Sequence, residues 1–283
     1  MRDNVCENCG RQGLNSFIDE PHQKLFQCPA CGLCQKGVLE SESVYEGHYH
    51  SGYKARLESK IRSAKIRLGS VQPYLVVETP KTLDIGCSVG ATVNAAEQLG
   101  WDAFGVDVSE KAVELCRDQG LSCEVLRDGK LPFDDESFDL VTNWQVIEHV
   151  LDVKKALCEW KRVLKPGGVM ILDTPDAAYW KARILGPKHY RKFWPADHIY
   201  TFNRENLTDI IKSCGFEMLP GRLIGRWTTL TPKLTAYALG YRGLRSCQRS
   251  LRLCKSIELC CRKPATQNST RHDYLQTTAS ATV

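Results

Sequence analysis

From residue 81 to residue 173 short apolar runs alternate with helix-length amphipathic segments, and few architectures accept that pattern. The runs 82–85, 103–108, 122–126, 138–143 and 169–173 have the length and composition of strands. Between them, 91–99 reads as a helix closed by Gly100, 109–119 as a helix capped by Ser109 and stopped by Gly120, and 153–164 as a third. Strands that are each followed by a helix line up in parallel, with helices covering both faces. The expectation is therefore an α/β, Rossmann-like domain. A helix over 204–214 and a strand after Gly215 are expected to close it near residue 223.

The flanks read differently. Five of the fourteen cysteines lie in residues 1–40, which have little helical periodicity. Cys6-x-x-Cys9 and Cys28-x-x-Cys31, eighteen residues apart, have the spacing of two knuckles sharing one tetrahedral zinc. Four thiolates leave no open coordination position, so the metal is expected to be structural; Cys34 is either an alternative ligand or spare. Residues 41–80 follow as a helix and linker, with Leu57, Ile61, Ala64, Leu68 and Val71 on one face and basic residues on the other. An aromatic-rich insertion at 174–203 has the length of a lid or substrate wall. Residues 224–263 read as a basic, helical segment and 264–283 as a disordered tail.

The formal charge of +5 is unevenly spread. Residues 54–67 hold six basic residues against one acidic, and 242–263 hold seven against one, so the remainder is net acidic. Such segments suit contact with an anionic membrane surface, with RNA, or simply with water. The first ten residues lack the apolar stretch of a secretory signal, and no apolar run approaches the ~20 residues of a membrane span. A cytoplasmic protein without a transmembrane segment is expected.

The first strand ends in Asp84-Ile85-Gly86-Cys87-Ser88-Val89-Gly90 and passes straight into a helix, which sets glycines at the carboxyl edge of a sheet. The third glycine of G-x-G-x-x-G is missing, which disfavours a pyrophosphate-bearing dinucleotide. Asp107 ends the second strand about 20 residues after the turn, where a carboxylate can accept from two ribose hydroxyls. Asp107 can equally cap the next helix, and Gly86 and Gly90 can serve close packing of strand on helix.

Four segments in order, DIGCSVG at 84–90, GVDVS at 105–109, LPFDDESFDLVTNWQVIEHV at 131–150 and LKPGGVMIL at 164–172, resemble the class I S-adenosylmethionine-dependent methyltransferases. The resemblance covers 81–223 and implies a seven-stranded, mostly parallel sheet with S-adenosylmethionine at its carboxyl edge. On it, Asp84, Gly86, Cys87, Ser88 and Gly90 form the cofactor turn, with Ser88 standing where many members have glycine. Asp107 would hold the ribose, Val108 pack on the adenine and Asp128 meet its amino group. Asn143 and Trp144 would border the sulfonium.

An acceptor that carries a proton needs a base. His149, directly after Glu148, and His198, in the stretch after the insertion, are the candidates, with Tyr179 behind them. Either histidine can instead be structural. The segment from Asp197 to Phe216 resembles the substrate side of bacterial methyltransferases acting on saccharides, quinones and other metabolites. Oxygen methylation of a small molecule is the expectation. A zinc-ribbon RNA methyltransferase and a non-catalytic zinc-ribbon interaction protein are the alternatives.

Overall fold

The protein is described by a computed structural model over residues 4–20, 23–37, 52–178, 198–220 and 256–265. The strands β4 (Lys81–Ile85), β5 (Asp102–Asp107), β6 (Cys123–Val125), β7 (Phe138–Trp144) and β8 (Leu164–Pro175) are parallel neighbours. They stand in the order β8-β7-β4-β5-β6. The chain moves outward from β4 to β6, then returns to the other side of β4 with β7. That reversal opens a crevice beyond the carboxyl ends of β4 and β7, where ligands of such sheets bind.

The helices match the expected segments to within a few residues. Ser109 caps α3 (Glu110–Arg117) by accepting from the Ala112 N–H at 3.3 Å, and Asp152 caps α4 (Val153–Val163). Helix α2 (Ala91–Glu97) begins behind Gly90, whose left-handed φ of +77° turns strand into helix. Helix α1 (Gly52–Val71) buries Ile61, Ala64, Leu68 and Val71 in one core layer together with Val93, Ala96, Val113 and Cys116. On the opposite face of the sheet, Leu157 and Trp160 of α4 and Ile210 and Ile211 of α5 (Arg204–Ser213) build the second layer.

The domain does not close near residue 223. Its sheet is completed by β10 (Glu217–Met218) and β11 (Ser256–Arg262), with β11 antiparallel to both β8 and β10 and lying between them. Residues 256–262, expected as the end of a basic helix, are thus strand, with Ile257 to Cys261 all buried. A chain segment covered on both faces and both edges loses the in-out alternation that marks a strand. The apolar spacing that suggests a membrane-surface helix fits this segment no longer. Residues 242–255 of that stretch, Tyr179 with the body of the insertion, and the tail beyond 265 lie outside the described residues.

The cysteine-rich segment does not stand apart. Strands β1 (Asn15–Glu20), β2 (Gln23–Gln27) and β3 (Cys34–Lys36) form an antiparallel sheet whose fourth member is β9 (Tyr200–Thr201), from the far side of the insertion. Cys6, Cys28 and Leu33 share a core layer with Tyr200, Phe202 and Ile210. The insertion is pinched at its base, where the Ala177 N–H donates to the Phe202 carbonyl at 2.8 Å. No helix of the described residues is long and apolar enough to cross a membrane.

Candidate cofactor and acceptor site

The turn after β4 is fixed by backbone chemistry that only certain residues allow. The N–H groups of Gly86 and Cys87 both donate to the Val106 carbonyl, at 2.8 and 3.0 Å. Gly86 has φ +75°, and a Cβ there would lie 2.3 Å from Val146 Cγ2. A Cβ at Gly90 would lie 2.4 Å from Leu121. Ser88, at φ +52°, takes the left-handed conformation that a glycine enters without steric cost.

Asp107 ties this turn to the next strand. One carboxylate oxygen accepts from the Ser88 N–H at 2.8 Å and the other from the Ser109 N–H at 2.9 Å. A carboxylate has about four acceptor positions, so one such group can serve backbone donors and ligand hydroxyls together. The cap of α3 is Ser109, so Asp107 is not that helix's cap. Val108, next in line, is 54% exposed and offers apolar surface beside the turn. Asp128 is exposed in the loop after β6, with φ +55°.

Buried carboxylates gather at this edge. Asp84 accepts from the Thr142 hydroxyl at 2.6 Å, and burial pushes its carboxyl up to about 7. Asp173 and Glu148 are buried as well, and the Thr174 hydroxyl donates to Glu148 at 2.9 Å. Arg67 of α1 reaches Asp173 at 3.1 Å and lays its guanidinium 4.3 Å from the centroid of Trp144. Gln145, at φ +57°, donates through its N–H to the Asp173 carbonyl and through its side chain to the Asp173 carboxylate.

Several polar atoms here have no hydrogen-bond partner among the described residues. They are Ser88 Oγ, both side-chain amide atoms of Asn143 and Trp144 Nε1. Asn143 is completely buried at the end of β7, in register with Ile85 and Leu172. A buried amide without partners costs roughly 1–3 kcal/mol, which a polar ligand can recover. The turn, Asp107, exposed Val108 and these orphaned atoms therefore fit a ligand with ribose, adenine and amino-acid parts, and the surrounding carboxylates fit a cationic one.

His149 and His198 come together, although 49 positions separate them. Their rings are 4.7 Å apart and nearly perpendicular, at 86°. With Glu148 they present three ligating atoms within 4.8 Å of one another. His198 is buried and His149 half-buried. The Ile199 N–H donates to the Glu148 carbonyl at 2.8 Å, which locks the two segments together.

In the N-terminal segment Cys6, Cys9, Cys28 and Cys31 bring their sulfurs within 4.8 Å of one another, with Cys6 to Cys31 at 3.5 Å and Cys9 to Cys28 at 3.6 Å. Sulfurs around one tetrahedral zinc at ~2.3 Å would stand ~3.8 Å apart, so the donor set fits. The two knuckles repeat each other: Gly10 and Gly32 both have φ +71°, and their N–H groups return to the Cys6 and Cys28 carbonyls at 2.9 Å. The hydrogen bond from Cys6 pushes the Cys31 thiol down to about 5. Cys34 is not part of the quartet; burial pushes its thiol up to about 12.

The residues that sequence reasoning missed are Arg67, Asp173 and Glu148. Arg67 stands three positions after Ala64 and one before Leu68, on the flank of the apolar stripe, and that position was the available signal.

Residues 83–172 match the family model described as a methyltransferase domain. The ubiquinone biosynthesis O-methyltransferase of Methylococcus capsulatus is 32% identical over 120 residues, covering 38% of this chain and 49% of that protein. Norajmaline N-methyltransferase of Rauvolfia serpentina is 31% identical over 149 residues, covering 47% and 51%. The chain spans about half the length of these curated relatives. Among solved structures, an S-adenosylmethionine dependent methyltransferase from Mesorhizobium loti superimposes with a TM-score of 0.52 at 19% identity, over 71% of this chain and 99% of that one, and so shares the fold. With its strand order and its glycine turn, this chain carries over residues 83–172 a methyltransferase domain of the S-adenosylmethionine-dependent kind.

Proposed function

We propose that the protein transfers a methyl group from S-adenosylmethionine to an oxygen of a small-molecule acceptor of the saccharide, quinone or lipid-like class. The observation that carries this reading is the His149–His198 pair, held by Glu148 and the Ile199 backbone just beyond β7. A hydroxyl acceptor must lose its proton as the methyl arrives, and one imidazole can take it while its neighbour steers the ring. When bound, the cofactor supplies the electrophilic methyl. Asp107 would hold the ribose, Val108 would lie against the adenine, Asn143 and Trp144 would border the sulfonium, and Ser88 would line the turn against the methionine part. The protein's own contribution is alignment and exclusion of water from an in-line displacement.

The quartet Cys6, Cys9, Cys28 and Cys31 is proposed to hold one structural zinc. Its role follows from where it docks. The Cys31 carbonyl accepts from the side chains of Asn203 and Asn206 at 3.3 and 3.2 Å, and β3 pairs with Tyr200 and Thr201, next to His198. The module would thus brace the segment that brings His198 to the site.

The test combines calorimetric binding of S-adenosylhomocysteine with transfer of labelled methyl to a panel of hydroxyl and amine acceptors. Binding together with label on a hydroxyl is expected. His149→Ala or His198→Ala should lower turnover ~100-fold or more at unchanged cofactor affinity. Absence of binding at millimolar concentration would sink the assignment. Label on amines alone would move the acceptor to nitrogen.

A further inference from the structure

Apart from the N-terminal quartet, three thiols converge directly under the glycine turn. Cys87 follows β4, Cys116 lies in α3 and Cys123 in β6; all three are buried, and their sulfurs lie within 4.8 Å of one another. Cys87 and Cys123 are 3.9 Å apart. The space between them exists because β5 carries glycine there: a Cβ at Gly105 would lie 2.8 Å from the sulfurs of both.

We propose that Cys87, Cys116 and Cys123 form a three-thiolate site for a soft monovalent cation of the Cu(I) type. One edge of the sulfur triangle is 3.9 Å and none exceeds 4.8 Å, so a point within ~2.8 Å of all three sulfurs exists, within reach of metal–thiolate bonds of ~2.3 Å after a small inward shift. Thiolates select soft ions, and three sulfurs with no fourth Cys, His, Asp or Glu ligand atom beside them among the described residues suit Cu(I) better than tetrahedral zinc.

Arg117 donates to the Cys123 carbonyl at 3.0 Å and sets a positive charge beside the cluster. Entry of the cation would release the three thiol protons to solvent.

Occupancy would also be felt at the turn. The Cys116 thiol donates to the Ser88 carbonyl at 3.1 Å, and that bond is given up when its proton leaves. This linkage rests on the cofactor reading of the turn; the ion count does not.

The experiment uses the full chain, zinc-loaded and reduced, under anaerobic conditions. Cu(I) is supplied as its acetonitrile complex against bicinchoninate, with zinc release followed in parallel. The wild type is expected to take up one more Cu(I) before zinc is displaced than a Cys116→Ser/Cys123→Ser variant of unchanged circular dichroism and zinc content. Should that variant not fold, Cys123→Ser alone is measured in the same way. Equal uptake by wild type and the folded variant overturns the proposal. In the wild type only, Cu(I) should shift S-adenosylhomocysteine affinity at least threefold; an unchanged affinity with the extra ion bound would remove the linkage and keep the site.

Discussion

Arg67 and Asp173 meet at 3.1 Å although 106 positions separate them, and the guanidinium that closes this pair also stacks on Trp144. The aspartate side chain is 2% exposed and the arginine 14%. Removing the cation from such a pair leaves a buried carboxylate with Gln145 as its side-chain donor, at a cost of ~3–5 kcal/mol. Arg67→Ala should lower stability by that amount in urea unfolding. Arg67→Lys keeps the charge but loses the planar stack, and should fall between the two. A loss below ~1 kcal/mol for the alanine variant would mean that water replaces the guanidinium.

Gly86 and Val146 form a second testable pair. Gly86→Ala combines a left-handed backbone, which costs an alanine ~1–2 kcal/mol, with a direct collision against Val146. Binding of S-adenosylhomocysteine should drop below detection. Adding Val146→Ala removes the collision and leaves the backbone cost, so the double variant should be more stable than Gly86→Ala alone. Strictly additive losses would show that the turn gives way in some other direction.

Asp84 gives the fold a pH signature. Its carboxyl sits at about 7 in the folded protein against 3.8 for the unperturbed group. Between those values the folded state keeps a proton that the unfolded chain has released, so stability falls as pH rises from about 4 to about 7 and this group adds no slope above that. Asp84→Asn should flatten that interval in denaturant titrations. An unchanged slope would place the ionisation elsewhere.

Zinc removal should separate the two halves of the site. The quartet braces the His198 segment, whereas Gly86, Asp107 and Val108 are held by the parallel sheet. Chelation is therefore expected to abolish turnover while S-adenosylhomocysteine binds within about threefold of its original affinity. Full activity in metal-free protein, shown by elemental analysis, would refute the bracing role.

Much of the parallel sheet was legible because β4, β5 and β7 are each followed by a helix with start or stop residues visible in the sequence, as with Ser109 and Gly120. The glycine turn and Asp107 were legible for the same local reason. The last strand was not: Ile257 and Cys261 are four apart, and burial on both faces erased any alternation that would have separated strand from helix. Nor was the sheet formed by β1, β2, β3 and β9, whose closing partner lies some 160 positions downstream. The meeting of His149 with His198 was hidden for that reason too. Arg67 belongs by spacing to the basic face of its helix, since spacing shows which side is apolar but not that a neighbouring cation reaches over it into a buried site.

The place of β11 between β8 and β10 has a consequence for synthesis. When the ribosome has delivered the chain through Met218, β10 has no strand to pair with, and β8 carries an open, apolar edge from Val169 to Thr174. At ~5–20 residues per second, some two to nine seconds pass before residue 262 is made. Throughout that interval the nascent chain offers an unpaired strand edge, the feature on which chains most readily aggregate. The final rung is thus inserted, not appended, and completing the sheet must wait until residue 262 has been made.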